Sequence, residues 1–415
     1  MVRQGDPSHT SERGAVLVHV AFAFLALLAF TTFVVDWGVF WLARRQAQNA
    51  ADSGATAAAM YMAWEGTGDP PGAQTMAVDF AQRNLVFGQA PDVTLSDVTF
   101  PVCPPGAPGP VDTCVRVNVF RNQRPGGNPL PIFFGSVVGL TDQGIQATAT
   151  AQVVYPNGTD CVKPFAIPDR WIEMNSTDSD GDGDNWDPDD TFDRYDKSGA
   201  LLPNPDVYIP PTYGANGNVT NVGSGYRLPR DYGMALTLKA ANQFNIAPSF
   251  YFPAVINPAE NPGASRYRDD IGGCDTTPIN PPWTLTNEPG NMVGPTRQGV
   301  DDQIALDPGA YWDPTIYNGP NNPPGGIAGG CMEDGTCTIS PRIAAVPIFN
   351  TEEYYQGQLS GRQEVQIVRI LGFFFEPTGA NGEVKGRFMT YPARLTAGTA
   401  LNSTGSFLRA IILVR

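Results

Sequence analysis

The residues best spaced to do chemistry lie in one run, Asp178-Ser-Asp180-Gly-Asp182-Gly183-Asp184-Asn-Trp186-Asp187-Pro-Asp189-Asp190. Carboxylates at alternate positions can turn several oxygens inward where glycine lets a loop curl. Hard Ca²⁺ takes six to eight such oxygens. Without a cation, carboxylates this close repel one another at neutral pH. The run is therefore expected to hold Ca²⁺ through Asp178, Asp180, Asp182, Asp184 and Asp189, in a structural rather than catalytic role. The alternative is a solvated acidic loop.

Other chemistry is excluded by what the chain lacks. Its two histidines, His9 and His19, both precede or enter the apolar N-terminal run. The rest of the chain therefore cannot build Ser-His-Asp or Cys-His catalysis, or the usual histidine zinc sites. There is no Gly-rich phosphate loop of the Walker or dinucleotide type. Asp52-Ser53-Gly54 resembles an aspartic protease signature, but it falls inside an Ala-rich helical pattern. With 41 acidic residues, any carboxylate pair can be picked out, so none is informative. The expectation is a protein that is not an enzyme. A net charge of −15 with no Lys/Arg cluster beyond the apolar flank argues against nucleic acid as a partner.

The element that must position everything else is N-terminal. Ala15 to Val35 contains only His19, Thr31 and Thr32 as clearly polar residues. At about 1.5 Å per residue it makes roughly 30 Å of helix, one bilayer core. Asp36 closes the run, Trp37 and Trp41 follow at the depth indoles prefer, and Arg44 and Arg45 hold the water side. The run exceeds a signal-peptide h-region of roughly 7–15 residues, so retention as an anchor is expected. His19 lies near the start of the run, where it can snorkel or stay neutral. Gln46 to Met62 is Ala-rich and free of proline, which continues the helix out of the membrane. Ala43, Ala47, Ala50, Ala51, Gly54 and Ala58 recur every three or four residues. Such a stripe admits a close neighbour: this chain's own domain, or the helix of a partner.

The six cysteines, Cys103, Cys114, Cys161, Cys274, Cys331 and Cys337, all follow the anchor. An even set on one side of a membrane reads as disulfides in an oxidising space. The close pairs favour Cys103–Cys114 and Cys331–Cys337, leaving Cys161–Cys274. Free buried thiols are the alternative. Arginine counts on the two flanks of the span nearly tie, so the cysteines and the acidic bulk decide orientation, with the N-terminus inside and the bulk outside.

With 45 Gly and 39 Pro the chain is loop-rich. Residues 1–14 form a cytoplasmic tail and 15–65 the helix with its extension. Residues 66–157 form a small α/β unit packed on that helix, with a helix over Gln74–Phe87 and strands over Asp112–Phe120 and Gly144–Tyr155. Residues 158–415 form a loop-rich, β-rich domain. Its pattern predicts one helix over Asp231–Phe244 and strands over Arg342–Phe349, Gln363–Phe375, Glu383–Tyr391 and Ser406–Val414. Phe373, Phe374 and Phe375 in a row point to a strand buried on both faces. Strands at the two ends of the chain can join one sheet. The fold class is α+β: a long transmembrane helix continuing into a disulfide-containing extracytoplasmic domain.

Two resemblances add to this. Against the EF-hand loop, Asp178, Asp180 and Asp182 match positions 1, 3 and 5, Gly183 the glycine at 6 and Asp184 position 7; Asp189 stands where that loop carries Glu. The run is also similar to the Asp-rich calcium repeats of thrombospondin type and of dockerins. More specific is the N-terminus. Arg13-Gly14-Ala15-Val16-Leu17-Val18-His19, then Val35-Asp36-Trp37-Gly38, then Ala43-Arg44-Arg45-Gln46-Ala47-Gln48-Asn49-Ala50-Ala51-Asp52-Ser53-Gly54-Ala55, resembles the TadE/TadG-like proteins of Flp (Tad) pilus assembly. His19 stands where TadE members carry Glu, so the resemblance implies a TadG-like, uncleaved anchor. No Asp-x-Ser-x-Ser pentad of a von Willebrand A domain is present. The resemblance implies a structural component of Flp/Tad-type pilus assembly or secretion, meeting pilus-assembly or pilin-like proteins through the Ala-rich helix. The alternative is a membrane-tethered, calcium-stabilised carbohydrate-active enzyme or adhesin.

Overall fold

A computed structural model describes residues 10–64, 70–133, 135, 139, 143–174, 186–188, 190–215, 217–240, 246–259, 261–288, 290–317, 323–337, 339–359, 364–379, 383–395, 401 and 406–414. The chain is a mixed α+β protein with a long N-terminal helix and three disulfides.

Helix α1, Thr10–Trp64, is 55 residues long. Its apolar first half is exposed, and its Ala-rich second half is buried against the rest of the chain. Helix α2, Pro70–Arg83, lies on it and buries Ala73, Ala77 and Ala81. The predicted helix over 74–87 therefore starts and ends four residues early. Val86 to Gln89 instead makes a tight turn, with Phe87 at positive φ. Strands β1 (Val98–Thr99), β2 (Cys114–Arg121) and β3 (Ile145–Val154) complete the small unit. Val115, Val117, Val119, Ala147, Ala149, Ala151 and Val153 form its inner face, as their period-two spacing predicted.

The large unit begins with β4, Phe165–Pro168. A short hairpin, β5 (Thr212–Tyr213) and β6 (Val219–Asn221), precedes β7 (Ala235–Ala240) and β8 (Phe250–Val255). Next come α3 (Ala264–Gly272), β9 (Trp283–Asn287) and α4 (Val293–Ala305). The hairpin β10 (Tyr311–Asp313) and β11 (Gly326–Ala328) leads to the single turn α5 (Gly330–Glu333). Then follow β12 (Ile343–Phe349), α6 (Thr351–Leu359), β13 (Glu364–Glu376) and β14 (Val384–Met389). The seven strands run in the order β12-β4-β8-β7-β14-β13-β9, and β12 also pairs with β13, so the ladder closes on itself. Phe373 and Phe375 join the main aromatic core, while Phe374 packs on the other face beside Trp312 and Tyr232. All three are fully buried.

The helix expected over Asp231–Phe244 is not formed over 231–240, and 241–244 lie outside the described residues. Residues 231–233 are a turn, with Gly233 at φ 75°, and β7 follows. Leu236 and Leu238 are buried while their neighbours are not, the period of a strand. β7 also pairs with β14 through Ala235–Leu238, so ladder hydrogen bonds override the mild helix propensity of Ala, Leu and Lys.

After β14 the chain runs from the large core, where Phe407 and Leu408 are still buried, into the small sheet. β15 (Tyr391–Pro392) pairs in parallel with β16 (Leu408–Val414), and β16 runs antiparallel to β3. The small sheet is thus β1-β2-β3-β16-β15, and strands from both ends of the chain do share one sheet. The three expected disulfides are all formed, Cys103–Cys114, Cys161–Cys274 and Cys331–Cys337.

Candidate functional site

The anchor region is built from α1 upward. From Val16 to Val35 the helix presents its large side chains to the surroundings; beyond Asp36, Trp37, Trp41 and Leu42 stay about half exposed while Phe40 already packs against the small unit's core. An 18-residue window of this stretch has a mean hydropathy of 2.3, and none of it is buried by the chain. At Ala43 the character changes. Ala43, Ala47, Ala50, Ala51, Ala55, Ala58 and Ala59 have no exposed surface. Gly54 shows why the stripe is small: a Cβ there would sit 2.8 Å from the Ala77 carbonyl and 3.0 Å from Ala81 Cβ. Only glycine lets α2 approach this closely. Two side chains fix the register. Gln46 accepts the Phe87 N–H at 2.7 Å, and Gln48 donates to the Thr148 carbonyl at 3.1 Å. The stripe is therefore taken by this chain's own α2 and small sheet. A partner helix has to use another face of α1.

Asp36 lies just below this junction. Its two carboxylate oxygens accept the backbone N–H groups of Phe133, at 3.0 Å, and Gly135, at 2.7 Å. These belong to the connection between β2 and β3, closed at its root by the Leu130–Gln143 bridge. Arg121, fully buried, braces that root by donating to the carbonyls of Val86, Asn128 and Pro129. Neither the Asp36 clamp nor the Arg121 brace announces itself in the sequence. The one available signal is an acidic residue interrupting an apolar helix, which calls for donors.

The five expected calcium ligands, Asp178, Asp180, Asp182, Asp184 and Asp189, lie outside the described residues. The flanks of their run are described. Trp186 is buried in the aromatic core, edge-on to Trp171 at 5.9 Å and to Tyr226 at 5.6 Å, with the Arg170 guanidinium 4.2 Å from its ring centroid. On the other flank, Asp206 accepts the N–H of Met174 at 3.1 Å and that of Asp193 at 2.6 Å. Glu173 accepts the Trp171 indole N–H at 3.0 Å. Asp187 N–H donates to Asp190 at 2.6 Å. Burial, then the hydrogen-bonded Glu173 carboxyl, pushes Asp206 well above the usual carboxylate range. Burial and Glu173 likewise raise Asp193. Sequence reasoning missed Glu173 and Asp206, which are single acids in irregular chain.

Two further polar centres are structural. Asp169 is fully buried, 3.0 Å from Arg369, and also accepts from Tyr208 and Tyr226 N–H. Asp307 lies beside Cys331 and Cys337, but both sulfurs are bonded to each other, and Asp307 takes the Cys331 N–H and the Ser340 hydroxyl. That trio has no free thiolate for a metal.

One long helix, apolar at one end and docked at the other, defines a helix-anchored α+β protein, with one segment among the described residues long and apolar enough to cross a membrane. Residues 14–60 match the family model described as putative Flp pilus-assembly TadE/G-like, so the match covers α1 and none of the strands. Searches of curated proteins and of solved structures found no match.

Proposed function

We propose that this chain is a single-pass, membrane-anchored structural component of Flp/Tad-type pilus assembly or secretion, with its N-terminus inside, its bulk outside, and no enzymatic role. The observation that carries the reading is α1 itself, matched over 14–60 and divided at Ala43 into an exposed apolar span and a docked stem. Because the stem is occupied, pilin-like or pilus-assembly partners would meet the exposed face of the span, where neighbouring helices pack by shape. Six cysteines, all paired, support an oxidising space for the bulk. The run from Asp178 to Asp189 holds a structural Ca²⁺, and the pinned flanks at Met174 and Trp186 support a loop ordered by an ion. Deletion of the gene should abolish surface pili. The full chain should restore them, and a chain whose span is replaced by an unrelated membrane helix of equal length should not. Unchanged piliation in the deletion strain would reject the assignment.

A further inference from the structure

The connection from Leu130 to Leu140, Leu-Pro-Ile-Phe-Phe-Gly-Ser-Val-Val-Gly-Leu, carries no ionisable residue, unusual in a strand-to-strand loop of an acidic protein. At its described tip Ile132 is half-buried and Phe133 is exposed. Phe133 is 53% exposed and meets the Phe87 ring edge-on, at 6.4 Å between centroids. The tip is not placed at random along α1. Asp36 holds it through the N–H groups of Phe133 and Gly135. Asp36 is eight residues before Arg44, so the tip lies about 12 Å below the charged pair along the helix axis. If Ala15–Val35 fills the roughly 30 Å hydrocarbon core, Asp36 sits at its outer edge and the headgroup layer covers Trp37 to Leu42.

We infer that the tip of the β2–β3 connection enters the bilayer beside α1 and forms a second membrane contact of the small unit. The occupant of this apolar surface is lipid, because the surface continues the lipid-facing side of α1 at the same depth. The Asp36 clamp makes the insertion feasible. At that depth an unsatisfied backbone N–H costs several kcal/mol, and irregular backbone is tolerated only with internal partners. A carboxylate in an apolar helix needs donors for the same reason. Each group satisfies the other, and the exposed Phe133 ring is left to the lipid. Two contacts, unlike a lone helix, fix the tilt of the small unit against the membrane.

The inference rests on α1 spanning the bilayer, so the experiment separates the two. The full chain is reconstituted in phosphatidylcholine nanodiscs with one environment-sensitive fluorophore on Phe133→Cys, with Phe24→Cys as the acyl-chain reference and Ser198→Cys as the water reference. The Phe133 probe should emit to the blue of Ser198, be several-fold less quenched by iodide, and be quenched best by a spin label near the top of the acyl chain. Asp36→Ala should move it toward the Ser198 values. A Phe133 probe in water while Phe24 is in lipid overturns the second contact alone, and an unresponsive Asp36→Ala overturns the clamp. A Phe24 probe in water overturns the anchor as well. Photoactivatable lipid with a mid-chain diazirine, used on the unmodified chain, reads the same answer without substitution: adducts within 130–140 support insertion, and adducts in α1 without them reject it.

Discussion

The two cores of this molecule are made of different materials. The small unit packs mostly Ala against Ala and Val, which brings α1, α2 and the inner face of one sheet close, with a few larger side chains such as Met62, Leu130, Ile145 and Tyr155 among them. The large unit is filled with rings, among them Phe165, Trp171, Trp186, Tyr226, Phe373 and Phe388, inside a ladder that closes on itself. Small side chains gain little by burial and much by fixing backbone distance, whereas aromatic side chains bury 150–250 Å² each and tolerate irregular connections. The first core makes a platform that fixes the position of α1. The second makes the larger body that the platform carries.

That contrast can be broken from either side. The largest effect is expected at Asp169–Arg369. Arg369→Ala leaves an unpaired buried carboxylate and should cost about 3–5 kcal/mol in chemical denaturation. Hydrogen exchange should quicken across β12 and β13 and stay slow in β2 and β3. Equal loss in both sheets would mean one cooperative body, not two. Next is the acidic run. Ca²⁺ at a hundredfold excess over its Kd should stabilise the large unit by about 2.7 kcal/mol, raising its Tm, and chelator should reverse this. Asp180→Ala with Asp182→Ala should remove the response, Mg²⁺ should substitute poorly, and a curve indifferent to millimolar Ca²⁺ would reduce the run to an acidic surface loop.

On the platform side, Gly54→Val forces a side chain into the α1–α2 contact, where overpacking costs about 1–3 kcal/mol. Exchange should rise in α2 and β2 but not in β13. The smallest effect is a pH dependence. Asp206 has a raised folded pKa, so from about pH 4 upward the folded chain holds a proton that the unfolded chain has released. In ion-stripped protein this contribution therefore falls as pH rises, until the raised pKa is passed. Asp206→Asn should flatten that slope, and an unchanged slope would place the titration elsewhere.

The platform was more legible in the sequence than the body it carries. Ala43 to Ala58 at helical spacing, and Val115 to Val119 with Ala147 to Val153 at strand spacing, give the faces directly, because a helix on a sheet imposes two strict periods. The same stripe admitted a partner helix, and only the fold shows α2 and the sheet occupying it. In the large unit, β13 and its three phenylalanines were readable, but β4, β8 and β9 are short segments set between prolines and glycines, with no period to follow. β7 reads as helix until β14 is beside it. The Asp36 clamp joins residues about a hundred positions apart, and no local pattern encodes it.

In the function proposed above, α1 holds the whole body on the outer side of the membrane. The chain carries four lysines, all in the large unit, which makes the test simple. Lys197 and Lys239 are exposed, while Lys163 is buried, donating to the Gly273 carbonyl at 2.7 Å. A membrane-impermeant amine reagent applied to intact cells should label Lys197 and Lys239 as fully as after lysis. Lys163 should stay unlabelled in both, and the N-terminal amine should react only after lysis. Labelling of Lys197 and Lys239 only after lysis would place the body on the inner side and contradict the proposed topology.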